Sequence, residues 1–155
     1  TNGYSLVRHV FELDKNPHPL FNEVEELGCS FAQALLTPHP SYYEALKPAL
    51  GLSKGIAHIT GGGLYENVPR ILPESLGAVF DSNSWQKPEI FNYIEKEGHV
   101  DIEEMYRVFN MGLGMVIVCD SKNVGSVLAA VPESLVVGEV THGSKQSQKI
   151  SIKNI

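Results

Sequence analysis

The stretch GIAHITGGGLYENVPRILP, Gly55 to Pro73, sets a short apolar run against three consecutive glycines and then against residues at helical spacing. Ile56-Ala57-His58-Ile59-Thr60 reads as a strand, and Leu64, Val68, Ile71 and Leu72 fall on one helix face. Pro69 has no N–H to donate, so it must kink that helix or restart it. A strand that delivers the chain to Gly61-Gly62-Gly63 and then into a helix can build an anion site from backbone alone. The first helical N–H groups lack internal partners, and the helix dipole places partial positive charge there. Glycines let that backbone approach a phosphate with no Cβ in the way, and they tolerate positive φ. The same glycines also suit a tight corner under a close helix contact, so both readings stand. The stretch is neither a P-loop, because no Gly-Lys-Ser/Thr follows, nor G-x-G-x-x-G, because Tyr65 and Glu66 stand where the later glycine would fall.

Several polar residues surround this corner. Thr60 adds a hydroxyl, and His58 lies near the C-terminal end of the strand, where α/β folds place ligands. Asn67 either donates to a ligand or caps the turn that Pro69 creates. Arg70, about one turn further on, either reaches an anion or stands as a solvated surface residue. The six histidines form no i, i+4 pair with a third acid, so no zinc-type cluster and no metal ligands are expected from this chain alone. No G-x-S-x-G nucleophile elbow is present. Gly112 and Gly114 in NMGLGMVIV precede a strand, the wrong order for a dinucleotide fingerprint, and are expected to serve packing or a bend.

Outward from the corner, elements alternate. Asn2-Gly3 is turn chemistry, Ser5 is a candidate cap, and Leu6, Val10 and Leu13 recur at helical spacing beside Val7 and Phe11. Residues 16–28 are rich in proline and acids and read as a loop with a short helix. FAQALLTPHPSYYEALKPAL holds an apolar segment, a break at Thr37-Pro38 and a helix from Ser41 to about Leu46. Leu76, Ala78 and Phe80 alternate as in a half-buried strand. Ile90, Phe91 and Ile94 mark a helix ending near Gly98. Asp101 with Glu104 resembles a capping box ahead of Ile102, Met105, Tyr106 and Phe109. GMVIVCD reads as a central strand, Val124 to Val131 as an amphipathic helix, and Leu135–Val140 with Lys149–Ile152 as two strands joined by a turn at Gly143. The expected fold is a single α/β domain, α+β-like, in which helices pack on a mixed β-sheet.

The 155 residues are the length of one ordinary domain and enough to bury a core. A formal net charge of −6 with no run of Lys and Arg argues against nucleic-acid and anionic-membrane partners, although one pocket for an anionic metabolite need not follow the global sign. Cys29 and Cys119 show no C-x-x-C spacing and fit reduced thiols in a cytoplasmic protein. No apolar stretch approaches the roughly 20 residues of a membrane helix. The start, TNGYSLVRHV, has no signal-peptide pattern and no initiating Met, so the chain reads as part of something longer.

The strings themselves go further. AHITGGGLYENVPRILP, then EGHVDIEEMYRVFNMGLGMVIV and later VVGEV, resemble the C-terminal domain of the phosphoribosylformylglycinamidine cyclo-ligase family, the AIR synthetases. TNGYSLVRHV resembles the S-N-G-[YF]-S-L-V-R stretch where that domain begins, and ALLTP resembles a further family segment. The resemblance covers nearly all of residues 1–155 in order. It implies an ATP-dependent ligase of purine biosynthesis that closes formylglycinamidine ribonucleotide to aminoimidazole ribonucleotide, by phosphorylating the amide oxygen and letting an internal nitrogen attack. It also implies a separate N-terminal domain that supplies most ATP and Mg²⁺ contacts and the core of a homodimer, so that this chain alone is expected to be inactive.

For the site, the resemblance implies that Gly61, Gly62 and Gly63 supply N–H donors to a phosphate, with Thr60 and Asn67 as polar support and Arg70 beside them. His58 is the candidate catalytic group, orienting the amide or a phosphate, while Asn2 lines the same cleft and Thr37 carries over from ALLTP. One departure stands out. Family members often read T-P-T-[RK]-I-Y-V-K where this chain has TPHPSYYE from Thr37 to Glu44, so Pro40 and Glu44 occupy positions where basic residues are common. Two other readings remain: a superfamily cousin, such as formylglycinamidine ribonucleotide synthetase or selenophosphate synthetase, or a non-catalytic binding or scaffolding module that keeps the fold.

Overall fold

Gly3, at φ 75°, caps helix α1 (Tyr4–Val10) with its backbone in the left-handed region. Ser5 therefore lies inside the first turn and caps nothing, contrary to expectation. The computed structural model describes residues 2–142 and 149–155. The proline- and acid-rich stretch that follows α1 holds a 3-10 turn at His18–Phe21 and a hairpin of two short strands, β1 (Glu23–Val24) and β2 (Cys29–Ser30). The short helix expected there is the 3-10 turn, whereas the hairpin was not expected, because two-residue strands have no readable alternation. Helix α2 (Phe31–Leu35) opens with a full capping box, Ser30 accepting from Gln33 N–H and the Gln33 side chain accepting from Ser30 N–H. A turn of helix, α3 (Tyr43–Leu46), continues into 3-10 geometry at Lys47–Leu52.

Strand β3 (Ser53–His58) leads to helix α4 (Gly63–Asn67), and Pro69 ends that helix in a 3-10 turn over Val68–Ile71. Strand β4 (Leu76–Asp81) is followed by α5 (Glu89–Glu97) and α6 (Ile102–Val108). Asp101 caps α6 by accepting from Glu103 N–H, one residue short of Glu104, so it acts as a plain N-cap and the expected box is not formed. Strand β5 (Met115–Cys119), helix α7 (Val124–Ala130) and strands β6 (Gly138–His142) and β7 (Ile150–Lys153) complete the order.

The expected mixed sheet is present, in the order β6-β4-β7, with β6 antiparallel and β7 parallel to β4. The last two strands do not pair as a hairpin. They flank β4 instead, one on each of its hydrogen-bonding edges, while Ala78 and Phe80 of β4 are buried. The expected turn at Gly143 lies outside the described residues. Strand β5 is not central either. Among the described residues it pairs only with β3, antiparallel, in a separate ladder.

One contiguous core joins these layers through Val7, Phe31, Ile59, Leu64, Ile94 and Met105, each at most 2% exposed. Phe11, Phe31 and Tyr93 stack at one end, with ring centroids 4.7–5.8 Å apart. Trp85 is buried with its indole N–H donating to the Met111 carbonyl at 2.9 Å, which satisfies its one polar atom. A smaller cluster of Ala49, Val127 and Val131 sits against Ile117 and Cys119 of β5. Both cysteines are free thiols, and no described helix is long and apolar enough to cross a membrane.

Candidate functional site

The antiparallel register of β3 and β5 sets the geography of the site. His58, the last residue of β3, pairs with Met115, the first of β5, and Ile59 N–H donates to the Gly114 carbonyl at 2.9 Å. The glycine corner after β3 and the Asn110–Gly114 turn before β5 therefore meet at the same end of the ladder. The chain start reaches that end as well, where Asn2 Nδ2 donates to the Val108 carbonyl at 3.1 Å. Segments more than 100 residues apart in sequence are thus brought together.

At the corner, the glycines divide their work. Gly62 caps α4 at φ 91° and Gly63 follows at φ 54°. Gly63 is buried, and a Cβ there would drive into the Tyr106 and Phe109 carbonyl oxygens. Its N–H already donates to the Thr60 carbonyl at 3.0 Å. Gly63 is therefore a packing residue of the α4–α6 contact and not the anion donor expected of it. Among the described residues, the N–H groups of Gly61 and Gly62 have no intramolecular acceptor, and space around Gly61 is open. Those two donors are what the corner has to offer.

Asn67 is buried, at 4% exposed, and its amide nitrogen donates to the carbonyls of Gly63 at 2.8 Å, Gly61 at 3.2 Å and Thr60 at 3.4 Å. It supports the corner as expected but has no donor left for a ligand. The side chain ties these three carbonyls together, and the Glu66 side chain folds back with its carboxylate against Gly62, so the open side of the bend is at Gly61. Arg70 is exposed on the 3-10 turn beyond α4, with no ion pair among the described residues and no contact that brings it to the corner.

Two other predicted residues, Asn2 and Thr37, lie in a neighbouring cleft. Asn2, Thr37, His39, Tyr42, Asn110 and Gly112 are among those lining a cleft of about 230 Å³. Thr37 is held by donating to the Gln33 carbonyl at 3.3 Å. Gly61, Gly62 and Gly63 do not line that cleft. The link between the two places is a histidine pair. His58, exposed beside the corner, holds its Nε2 3.2 Å from the Nε2 of His39, which lines the cleft. His39 in turn packs edge-on against Tyr42, with centroids 5.3 Å apart and planes at 71°. Burial pushes the Tyr42 phenol above its ordinary value, so it stands as a neutral hydroxyl. Gly114 leaves the space that the Tyr42 ring fills, the packing role expected for that glycine. A larger groove of about 1130 Å³ is lined by Leu72, Phe80, Val116, Val127 and other apolar groups, with Lys54, Asp120, Glu133 and Glu139 also among its lining residues.

His39, Tyr42 and Asn110 were not singled out from the sequence. Only the unusual TPHPSYYE segment hinted at the first two, because nothing in a linear pattern shows that it returns to the end of β3. Among the described residues no group of three His, Cys, Asp or Glu side chains is placed to hold a metal ion, and no step is assigned to one.

A glycine corner at the end of β3 thus stands beside a small cleft of mixed polar and apolar lining, in a domain that mixes helices with short β-sheets. Residues 1–150 match the family described as AIR synthase related protein, C-terminal domain, and the chain belongs to that family. It is similar to phosphoribosylformylglycinamidine cyclo-ligases: 43% identical over 145 residues to that of Thermoanaerobacter sp. (strain X514), covering 90% of this chain and 43% of the relative. To that of Coxiella burnetii (strain RSA 493 / Nine Mile phase I) it is 42% identical over 158 residues, covering 98% of this chain and 44% of the relative. The chain thus spans less than half the length of these relatives.

Proposed function

We propose that residues 1–155 are the C-terminal domain of an ATP-dependent ligase that closes formylglycinamidine ribonucleotide to aminoimidazole ribonucleotide in the cytoplasm. The observation that carries the reading is the identity of 43% with a protein named phosphoribosylformylglycinamidine cyclo-ligase, sustained across 90% of this chain. In the reaction, ATP phosphorylates the amide oxygen of the substrate and leaves as ADP. An internal nitrogen then attacks the activated carbon, and the C–O bond breaks to release phosphate as the imidazole closes. Catalysis of this kind asks the protein chiefly for positioning and electrostatic stabilisation.

In this reading the N–H groups of Gly61 and Gly62 bind an anionic oxygen, either of a nucleotide phosphate or of the substrate's 5′-phosphate. Thr60 lends a hydroxyl at the same bend. His58 orients the amide or phosphate from the strand end, and Asn2 and Thr37 line the adjoining cleft. Arg70 contributes only long-range charge. A second domain, carried elsewhere in the polypeptide, brings most of the ATP and Mg²⁺ contacts and the dimer core.

The test is to express the full-length polypeptide that carries this chain and incubate it with ATP and formylglycinamidine ribonucleotide. ADP release coupled one-to-one to a product lighter than the substrate by one water is expected. ADP release only with a cousin's substrate, or none with any, would replace this reading by a related synthetase or a non-catalytic module.

A further inference from the structure

His39 and His58 lie 19 positions apart in sequence, yet their Nε2 atoms are 3.2 Å apart in space. Two nitrogens bound to one tetrahedral zinc ion at about 2.0–2.1 Å are separated by about 3.3–3.4 Å. The pair already has the bite of a chelate. We propose that His39 and His58 form a two-imidazole site for a divalent transition-metal ion of the zinc class, at the rim between the glycine corner and the small cleft.

Three features of the fold hold this bite open before any ion arrives. His58 is fixed at the end of β3 by its pairing with Met115. His39 stands between Pro38 and Pro40, whose rings lock their own φ and restrict the residue before each. The Tyr42 ring then braces the His39 imidazole edge-on at 5.3 Å. Pre-set ligands lose little conformational freedom on binding, which raises affinity for a given number of contacts. Imidazole also suits zinc, copper and nickel better than magnesium or calcium.

The chemistry balances without a co-reactant. In the free protein one imidazole donates its Nε2–H to the lone pair of the other, with the assignment of donor set by tautomer. Binding moves the donor's proton to its own Nδ1, through water, so that both Nε2 lone pairs face the ion. Among the described residues no third His, Cys, Asp or Glu completes the shell. The remaining positions belong to water or to an oxygen of whatever occupies the cleft, so the ion is exchangeable and not structural. The site stands on this geometry alone and does not depend on the ligase reading.

Zinc chloride titrated calorimetrically into the full chain, prepared without a polyhistidine tag, tests it. One equivalent with a micromolar dissociation constant is expected, and His39→Ala and His58→Ala are each expected to weaken it at least tenfold. His142→Ala, an exposed histidine on β6, is expected to leave it unchanged. Cobalt(II) substitution provides a second readout, visible d–d bands of tetrahedral intensity that vanish in His39→Ala. Zinc binding that survives either histidine variant within tenfold, or no binding at millimolar zinc, would overturn the proposal.

Discussion

Gly61 and Gly63 stand two positions apart and answer to different forces. Gly63 is held at φ 54° with the backbone of α6 pressed against it. Gly63→Ala is expected to cost about 3 kcal/mol from left-handed strain and overpacking together. For a domain of this size that lowers Tm by roughly 6–12 °C, readable in a thermal melt of the variant. Gly61 meets no atom within 4 Å of a built Cβ. Gly61→Val should therefore leave stability within about 0.5 kcal/mol while its branched side chain crowds the open side of the bend. In the full-length enzyme the expected result is a raised KM for the anionic substrate or for ATP. An unchanged KM and kcat would remove the corner from the site. The sequence showed three equivalent glycines; only burial, φ and the Asn67 amide distinguish their roles.

At the scale of elements, the long periodic segments were legible and the short ones were not. Helices α5 and α6 declared themselves through recurring apolar positions, whereas the β1–β2 hairpin had no pattern to read. Pairing was the least visible property, because the side-chain alternation of β4 marks which face is buried and says nothing of which strands lie on its edges. The structure places β7 on one edge and fixes it with a clamp. Asn154 Nδ2 donates to the Asp81 carboxylate at 2.8 Å, Asn83 N–H adds a bond at 3.1 Å, and Ser82 Oγ donates to the Asn154 carbonyl at 2.6 Å. The Asn154 amide foremost, then the Asn83 N–H, hold the Asp81 carboxyl below its ordinary value. A depressed folded-state value means that the clamp's contribution is fully present above the usual aspartate range and is lost as pH falls through the lowered value. An NMR titration of the Asp81 carboxyl carbon should give a midpoint below the ordinary aspartate value of about 3.9, returning toward it in Asn154→Ala. A midpoint at or above that value in the unaltered protein would rule the clamp out.

Across the whole molecule, the chain covers only 43% of a relative that shares its sequence at 43% identity. The 155-residue chain alone is accordingly expected to release no ADP from ATP and formylglycinamidine ribonucleotide, with activity returning when the remainder of the polypeptide is supplied; steady turnover by the chain alone would contradict the proposed division of labour. The sequence by itself determined the family, the α/β character and the strand–glycine–helix corner, because these rest on local periodicity, on residues with restricted or permissive φ, and on long unbroken strings. Tertiary structure alone decided which strands pair, which glycine N–H groups remain available, and that His39 meets His58. Those properties depend on contacts between segments distant in the chain, whose energies leave no periodic trace in the order of residues.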